Sequence, residues 1–469
     1  MPEVTTVDPA TGEPLARYPA QDVDAVLDVL AAVHAAQPAW AGRPVEDRAA
    51  LVRAIGKQLR ARADELAGLM TAEMGKPVGE ARAEIEKSAS ACDYYADHGP
   101  GFLADRPVET GAQRSWVAAE PLGVVLAVMP WNFPYWQVLR FAAPTLLAGN
   151  TAVLKHSPNV TGCALAIEQV FRDAGLPEDV FRSIVVAEAD VPEVSRALVE
   201  DDRIAAVSLT GSERAGAAVA ASAGRAIKKS LLELGGSDPF VVLADADLDV
   251  AVAGAVRSRF LNTGQSCLAA KRFVVHRSVA GEFSRRFAAA VAELSVGDPR
   301  DEATAIGPMA RADLRADLDG QVRASIAAGA TVLAGGAPLP GPGAFFAPTV
   351  LGDVTLDMPV MAEETFGPVA AVMPVDDDDD AVRVANATRY GLGASVWSRD
   401  PQHALAVGRR ITSGALFVNT VVASDPRLPF GGTKRSGYGR ELGEAGALEF
   451  TNARTYVLGG GVPQGPATE

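Results

Sequence analysis

The chain has 469 residues, 48% of them apolar, with 43 Lys plus Arg against 58 Asp plus Glu, a net charge of -15. That length exceeds one ordinary hydrophobic core, so two or three soluble domains are expected. The negative balance repels phosphate backbones and anionic lipid alike, which argues against nucleic acid and membrane surfaces as partners.

The first residues, MPEVTTVDPATGEPLARY, place Pro2 and Glu3 where a secretory signal needs positive charge followed by an apolar run. No stretch approaches about 18 uninterrupted apolar residues. A cytoplasmic location is expected. Residues 21–97 carry apolar positions at three- and four-residue spacing, as in DRAALVRAIGKQLRARADELAGLMTAEM, and predict a layer of long amphipathic helices. At GVVLAVMP, residues 123–130, the pattern changes to short apolar runs separated by helical stretches: TAVLKH, RSIVVA, IAAVSLTG and KKSLLELGG. A second series follows in PFVVLADAD, RFVVHRSV, PVAAVMPVD, GASVWSRD and GALFVNT. Both series predict βαβ units and parallel sheets, hence two α/β domains.

QRSWVAAEP alternates as an edge strand would, GGAPLPGPGAFF (335–346) marks a loop, and the tail LGGGVPQGPATE has nothing to pack and is expected to fray. The acidic run Asp376 to Asp380 reads as a solvated helix N-terminus favoured by the helix dipole, since five adjacent like charges cannot converge on one cation. Cys92, Cys163 and Cys267 lie 71 and 104 residues apart, without zinc or CxxC spacing, and are expected as reduced thiols. His34, His98, His156, His276 and His403 show no paired spacing, so no metal site is expected.

Several segments carry residue types suited to chemistry. MPWNFPYWQ (129–137) ends a predicted strand with Trp131 and Asn132 held between prolines, although Asn is also a common turn residue. LKHSPN puts Lys155 at the carboxyl end of another strand, and LTGSERAG puts Gly211 and Gly216 at a strand-to-helix turn. Strand carboxyl ends in open α/β sheets are where ligands sit. There is no GxGxxG fingerprint, so phosphate binding there would rest on a helix N-terminus and Lys155. ELGGSDP places Glu233 at a strand end beside two glycines, either as a turn residue or as a base. EETFGPV (363–369) reads by itself as a Gly-Pro turn. In NTGQSCLAAKR (262–272), Cys267 follows a glycine-bearing turn and precedes a Lys-Arg pair, and is either a buried thiol or a nucleophile.

Taken together and in order, PWNFP, LKHSPN, GSERAG, ELGG followed 34 residues later by Cys267, and EETFGPV resemble the non-acylating, NAD(P)-dependent aldehyde dehydrogenases. The resemblance runs from DPATGE to EFTNARTY, nearly the whole chain, and PWNFPYWQVLR, NTGQSC and PFGGTKRSGYGREL are most similar to the shorter bacterial succinate-semialdehyde dehydrogenases. It implies an α/β fold: a Rossmann-like cofactor domain over 1–103 and 122–234, a catalytic α/β domain over 235–444, and an oligomerisation arm and tail over 104–121 and 445–469. Homodimers or homotetramers are expected.

The resemblance also implies roles. Cys267 is the nucleophile, Glu233 the base, and Asn132 with the Cys267 backbone N–H the oxyanion donors. Trp131, Lys155, Pro158, Gly211, Ser212, Gly216, Leu234, Glu364 and Phe366 fall at cofactor positions, with Lys155 and Glu364 at the two riboses, Phe366 beside the nicotinamide and Ser212 at the pyrophosphate. Pro158 stands where NAD-selective relatives carry an acid, so both NAD and NADP are expected. Arg140 and Ser424 match residues facing the carboxylate of an acid semialdehyde, with a structural salt bridge as the other reading of Arg140. Leu261 departs from the polar or basic residue of close relatives. The implied reaction is oxidation of succinic semialdehyde to succinate; a general aliphatic or aromatic aldehyde dehydrogenase is the alternative, and a silent structural or binding protein a remote one. A cysteine hydrolase would need a histidine partner, which no motif provides. An acylating, CoA-dependent enzyme typically lacks the glutamate.

Overall fold

The structure, a computed structural model, describes residues 2–459; the tail from 460 on lies outside the described residues. In chain order, β1 (Glu3–Val7) and β2 (Pro14–Pro19) form a separate antiparallel pair. Helices Val23–Ala41, Val45–Ala61, Ala63–Met74 and Val78–Phe102 follow, as the three-and-four periodicity predicts. The third stops at Gly75, whose φ of 77° is left-handed, and an added Cβ would lie 2.6 Å from Pro308 Cγ. Only glycine suits that cap. Buried Val52, Ile55, Leu59, Met70, Ile85 and Tyr95 from this layer share one core with Leu139 and Leu146 of helix Trp136–Leu147. The helical layer is thereby packed directly onto the segment that follows the PWNFP motif.

Strands β3 (Arg106–Pro107) and β4 (Arg114–Pro121) lead into a parallel series: β5 (Val124–Met129), β6 (Thr151–His156), β7 (Phe181–Ile184), β8 (Ile204–Thr210) and β9 (Lys229–Glu233). All six residues of β6 are buried, as expected of a parallel strand covered on both faces. The second series comprises β10 (Asp238–Val242), β11 (Ala270–His276), β12 (Thr331–Ala334), β13 (Thr349–Gly352), β14 (Val369–Val375), β15 (Gly393–Trp397) and β16 (Ala415–Val418). Its spatial order is β12-β13-β14-β11-β10-β15-β16, parallel except at β12–β13. That antiparallel edge pair flanks the GGAPLPGPGAFF loop and has no counterpart in the strands read from sequence.

The chain then returns. β17 (Gly437–Tyr438) pairs antiparallel with β9, giving a first sheet ordered β17-β9-β8-β5-β6-β7, so a short piece of the segment assigned to the catalytic domain belongs to the first sheet. β18 (Thr451–Leu458) pairs with β4 along its whole length to form a three-stranded sheet with β3. Within the acidic run, Asp377 caps helix Asp378–Asn386 by accepting the Asp380 N–H at 2.8 Å.

Candidate active site

Four strand ends of the first sheet assemble the site. Asn132 follows β5, Lys155 lies near the end of β6, Gly211 and Ser212 follow β8, and Glu233 ends β9. Cys267 comes from the second sheet, on the turn between helix Leu248–Phe260 and β11. Two cavities meet there. One is lined by Trp131, Asn132, Gly211, Ser212, Glu233, Leu234, Glu364 and Phe366, together with Gln137 and Cys267. The other, on the far side of Gln137 and Cys267, is lined by Lys87, Trp136, Arg140, Arg257, Leu261 and Ser424 among others. Those two residues are the only ones the two linings share.

The cysteine turn is strained and tightly held. Asn262 and Thr263 both have φ of 55°, a left-handed conformation that is costly for a β-branched residue. Glu80 accepts the Asn262 N–H at 2.7 Å, Asn262 Nδ2 donates to the Asn132 carbonyl at 2.7 Å, and Thr263 Oγ1 accepts the Gly307 N–H at 3.1 Å. A Cβ on Gly264 would lie 2.4 Å from the Gly367 carbonyl oxygen, so the EETFGPV loop presses directly on this turn. Lys271, fully buried on β11, donates to the carbonyls of Ser266 and Cys267, each at 2.9 Å, and pairs with Glu364 at 3.4 Å. Sequence reasoning noted the Lys-Arg pair but gave Lys271 no role; its spacing of four from the cysteine was the available signal.

Asn132 is oriented at both ends of its amide. Gln137 Nε2 donates to Asn132 Oδ1 at 3.0 Å, and Asn132 Nδ2 donates one N–H to the Gln265 carbonyl at 3.0 Å. The second N–H of that amide is left to donate elsewhere. His156 carries no chemistry here: its Nε2 holds the Pro134 carbonyl at 3.0 Å, and burial pushes its pKa down to about 4, so it is a neutral strut beneath the loop.

Electrostatics favour protonated resting groups. Burial pushes the Cys267 thiol up to about 11, against the opposing pull of Arg140 and Lys271. Glu233 is 2% exposed and neither carboxylate oxygen has a hydrogen-bond partner. Burial, and next the charge of Glu441, hold its carboxyl well above the usual range. An orphaned carboxyl and a thiol lining one cavity form a pair able to exchange a proton through water.

The expected cofactor positions are brought together. Lys155 is 6% exposed, its ammonium makes no hydrogen bond or ion pair among the described residues, and it opens on a cavity of about 470 Å3 walled by Val191, Pro192, Val199, Leu209, Ala218 and Val219. Burial pulls its ammonium down to about 8. Ser212 caps helix Glu213–Arg225 by accepting the Ala215 N–H, and a Cβ on Gly216 would lie 2.5 Å from Leu234 Cδ2, so that helix seats closely on the first sheet. Trp131 and Phe366 meet edge to face at 5.7 Å. A buried cation without an ion-pair partner, an apolar slot and the N-terminus of helix Glu213–Arg225 fit a dinucleotide. Glu364 accepts the Gly236 N–H at 3.0 Å, and a Cβ on Gly235 would lie 2.2 Å from Glu364 Oε2, so any side chain there would displace that carboxylate. Pro158 lines an adjoining cavity with Lys155, Glu188, Arg214 and Arg311; the sequence reading considered position 158 alone, whereas the fold supplies a carboxylate and two guanidinium groups from elsewhere.

The two substrate candidates are both in the second cavity, but in different states. Arg140 is committed: its Nε pairs with Glu441 at 2.5 Å, its Nη2 donates to Thr210 at 3.1 Å, and both ion-pair partners are almost fully buried. This is the structural salt bridge that the sequence left as the other reading. Ser424 accepts hydrogen bonds from Lys87 Nζ at 2.8 Å and Trp136 Nε1 at 3.2 Å. Leu261 is exposed at the rim. Among the described residues, no group of three His, Cys, Asp or Glu is placed to hold a metal ion, and no helix is long and apolar enough to cross a membrane.

A largely parallel first sheet with an orphaned carboxyl at a strand end, a thiol-bearing turn of the second sheet on the same cavity, and a dinucleotide-shaped slot beside them define the class: a dehydrogenase. Residues 2–456 match the aldehyde dehydrogenase family, and the chain belongs to that family. It is 49% identical over 450 residues to the succinate semialdehyde dehydrogenase [NAD(P)+] Sad of Escherichia coli, covering 96% of each chain. It is 46% identical over 458 residues to the succinate-semialdehyde dehydrogenase [NADP(+)] of Mycobacterium leprae, covering 97% of this chain and 99% of that one. Among solved structures, the succinic semialdehyde dehydrogenase of Streptococcus pyogenes in complex with NADP+ superposes with a TM-score of 0.94 at 36% identity, over 97% of this chain and 100% of that one.

Proposed function

We propose that this protein oxidises succinic semialdehyde to succinate with NAD or NADP, through a covalent thioester on Cys267. The observation that carries this reading is the meeting of two cavities at a single thiol, one fitted for a dinucleotide and the other furnished with cations and hydroxyls. Glu233 takes the proton of Cys267, directly or through water, and the thiolate adds to the aldehyde carbon. The resulting oxyanion is held by the second N–H of Asn132 and the backbone N–H of Cys267. Bound NAD(P) supplies the hydride acceptor. Lys155 and Glu364 would hold its riboses, while Trp131, Gly211, Ser212, Gly216, Leu234 and Phe366 shape the slot, and Pro158 adds no charge of its own at the 2′ position, beside Glu188, Arg214 and Arg311. Once Glu233 has released the cysteine's proton to solvent, it accepts a proton from the water that attacks the thioester and passes it to the departing Cys267 thiolate, releasing the acid and restoring the thiol.

The names of the relatives support the substrate, and the cations of the second cavity suit an aldehyde that bears a carboxylate. Three unpaired thiols fit a reducing cytoplasm. The first and second sheets support the division into cofactor and catalytic domains, and the outer strand β18 supports an arm that joins copies into a homodimer or homotetramer. Cys267→Ala is expected to abolish NAD(P)H formation from succinic semialdehyde while leaving NAD(P) affinity, read by calorimetry, within about threefold, since the thiol contributes little to the slot. Substantial turnover by that variant would remove Cys267 from the nucleophile role.

A further inference from the structure

The second cavity holds a cation that the sequence reading passed over. Lys87 lies on helix Val78–Phe102, and its ammonium stands 4.3 Å from the Trp136 ring centre. Its hydrogen bond to Ser424 leaves two N–H groups unused. Among the described residues no carboxylate forms an ion pair with it; the nearby Asp425 is engaged bidentately by Arg427. Burial, and next the repulsion of Arg140, pull its pKa down to about 8, the mark of a cation short of a counter-ion.

The lining of this cavity carries no carboxylate, and the two that act on Lys87 from outside it, Glu84 and Asp425, are paired with Lys76 and Arg427. Ser424 Oγ already accepts from both Lys87 and Trp136, so its two lone pairs are used and its O–H is left to donate. The exposed Arg257 at the rim makes no ion pair among the described residues. Arg140, by contrast, has its charge matched by Glu441. A carboxylate entering this cavity of about 120 Å3 therefore meets an unmatched ammonium and a free hydroxyl, with Cys267 in the wall.

We infer that Lys87, with Ser424 as its partner, is the residue that selects carboxylate-bearing aldehydes in this protein, and that Arg140 shapes the site without taking the substrate charge. The inference rests on the proposed semialdehyde reaction. Lys87 brings to the carboxylate a charge-assisted hydrogen bond inside an enclosed cavity, and Trp136 holds the ammonium over its ring face so that it cannot fold away.

The test compares succinic semialdehyde with butanal, which has the same chain length and no charge. Lys87→Met is expected to raise KM for succinic semialdehyde about 30-fold or more, with kcat for butanal falling by far less. Succinate, as a dead-end inhibitor competing with the aldehyde, should lose affinity by a similar factor, and Lys87→Arg should restore part of both. Parallel losses on the two aldehydes would overturn the inference, since a distorted site harms both. So would a wild-type-like preference for the semialdehyde in Lys87→Met, which would return the carboxylate to Arg140 or Arg257 while leaving the proposed reaction standing. A wild-type enzyme that prefers butanal would overturn the proposed substrate itself, and the inference with it.

Discussion

A thiol held near 11 is almost wholly protonated at neutral pH, so the proposed reaction depends on an acceptor beside it. Glu233 can accept only when ionised, and burial together with Glu441 raises its carboxyl well above the usual range. The sign follows: the ionised fraction, and with it kcat/KM, should climb as pH rises through neutrality rather than level off near pH 5.5, about one unit above an ordinary glutamate. In Glu233→Gln this limb should vanish, and only some acylation should remain with thioester hydrolysis slower still, leaving a reduced burst of NAD(P)H in rapid mixing. Glu441→Gln removes a charge that raises Glu233 but keeps Arg140, which lowers it, so the limb should move down by about one pH unit. An unmoved limb in Glu441→Gln would show that another group sets it.

Among the elements, helix Val78–Phe102 does more than cover the sheet. Glu80, Glu84 and Lys87 recur at helical spacing and turn one face toward the site: Glu80 to the cysteine turn, Glu84 to the N–H groups of Tyr135 and Trp136 at 2.9 and 3.0 Å, and Lys87 to Ser424. Glu80→Ala leaves the Asn262 N–H without its acceptor, at a cost of about 1–3 kcal/mol, and frees a strained turn to relax. It should lower kcat at least tenfold and reduce Tm by several degrees, whereas Glu80→Gln, which still offers an oxygen, should stay near wild type. Equal kcat in both variants would detach this contact from catalysis. Strands β5 to β11 were legible because each is a short apolar run ended by Gly, Pro or a polar residue, and the motif residues follow those endings. The face of this helix was not, because its charges sit within an amphipathic pattern that also describes an ordinary solvated surface. Their partners lie 51 to 337 residues away, as does the pairing of Arg140 with Glu441, and local spacing cannot report contacts of that range.

At the scale of the molecule, β18 runs the length of β4 and has no strand on its other edge among the described residues, with Val457 and Leu458 exposed and Trp116 stacked on Tyr456 at 4.8 Å. Open edges of this kind pair with other chains. Val457→Lys with Leu458→Lys should shift the mass in sedimentation toward the monomer while NAD(P) affinity holds; an unchanged mass would move the contact elsewhere. The shared wall of Gln137 and Cys267 carries a different consequence, one of traffic. The dinucleotide slot and the cationic cavity share only those two lining residues, so on the proposed reaction cofactor and aldehyde reach Cys267 from different sides. On that reaction the spent nucleotide can be exchanged while the acyl group stays tethered on the other side, and the covalent bond to Cys267 would serve as the latch that keeps a half-finished substrate from escaping.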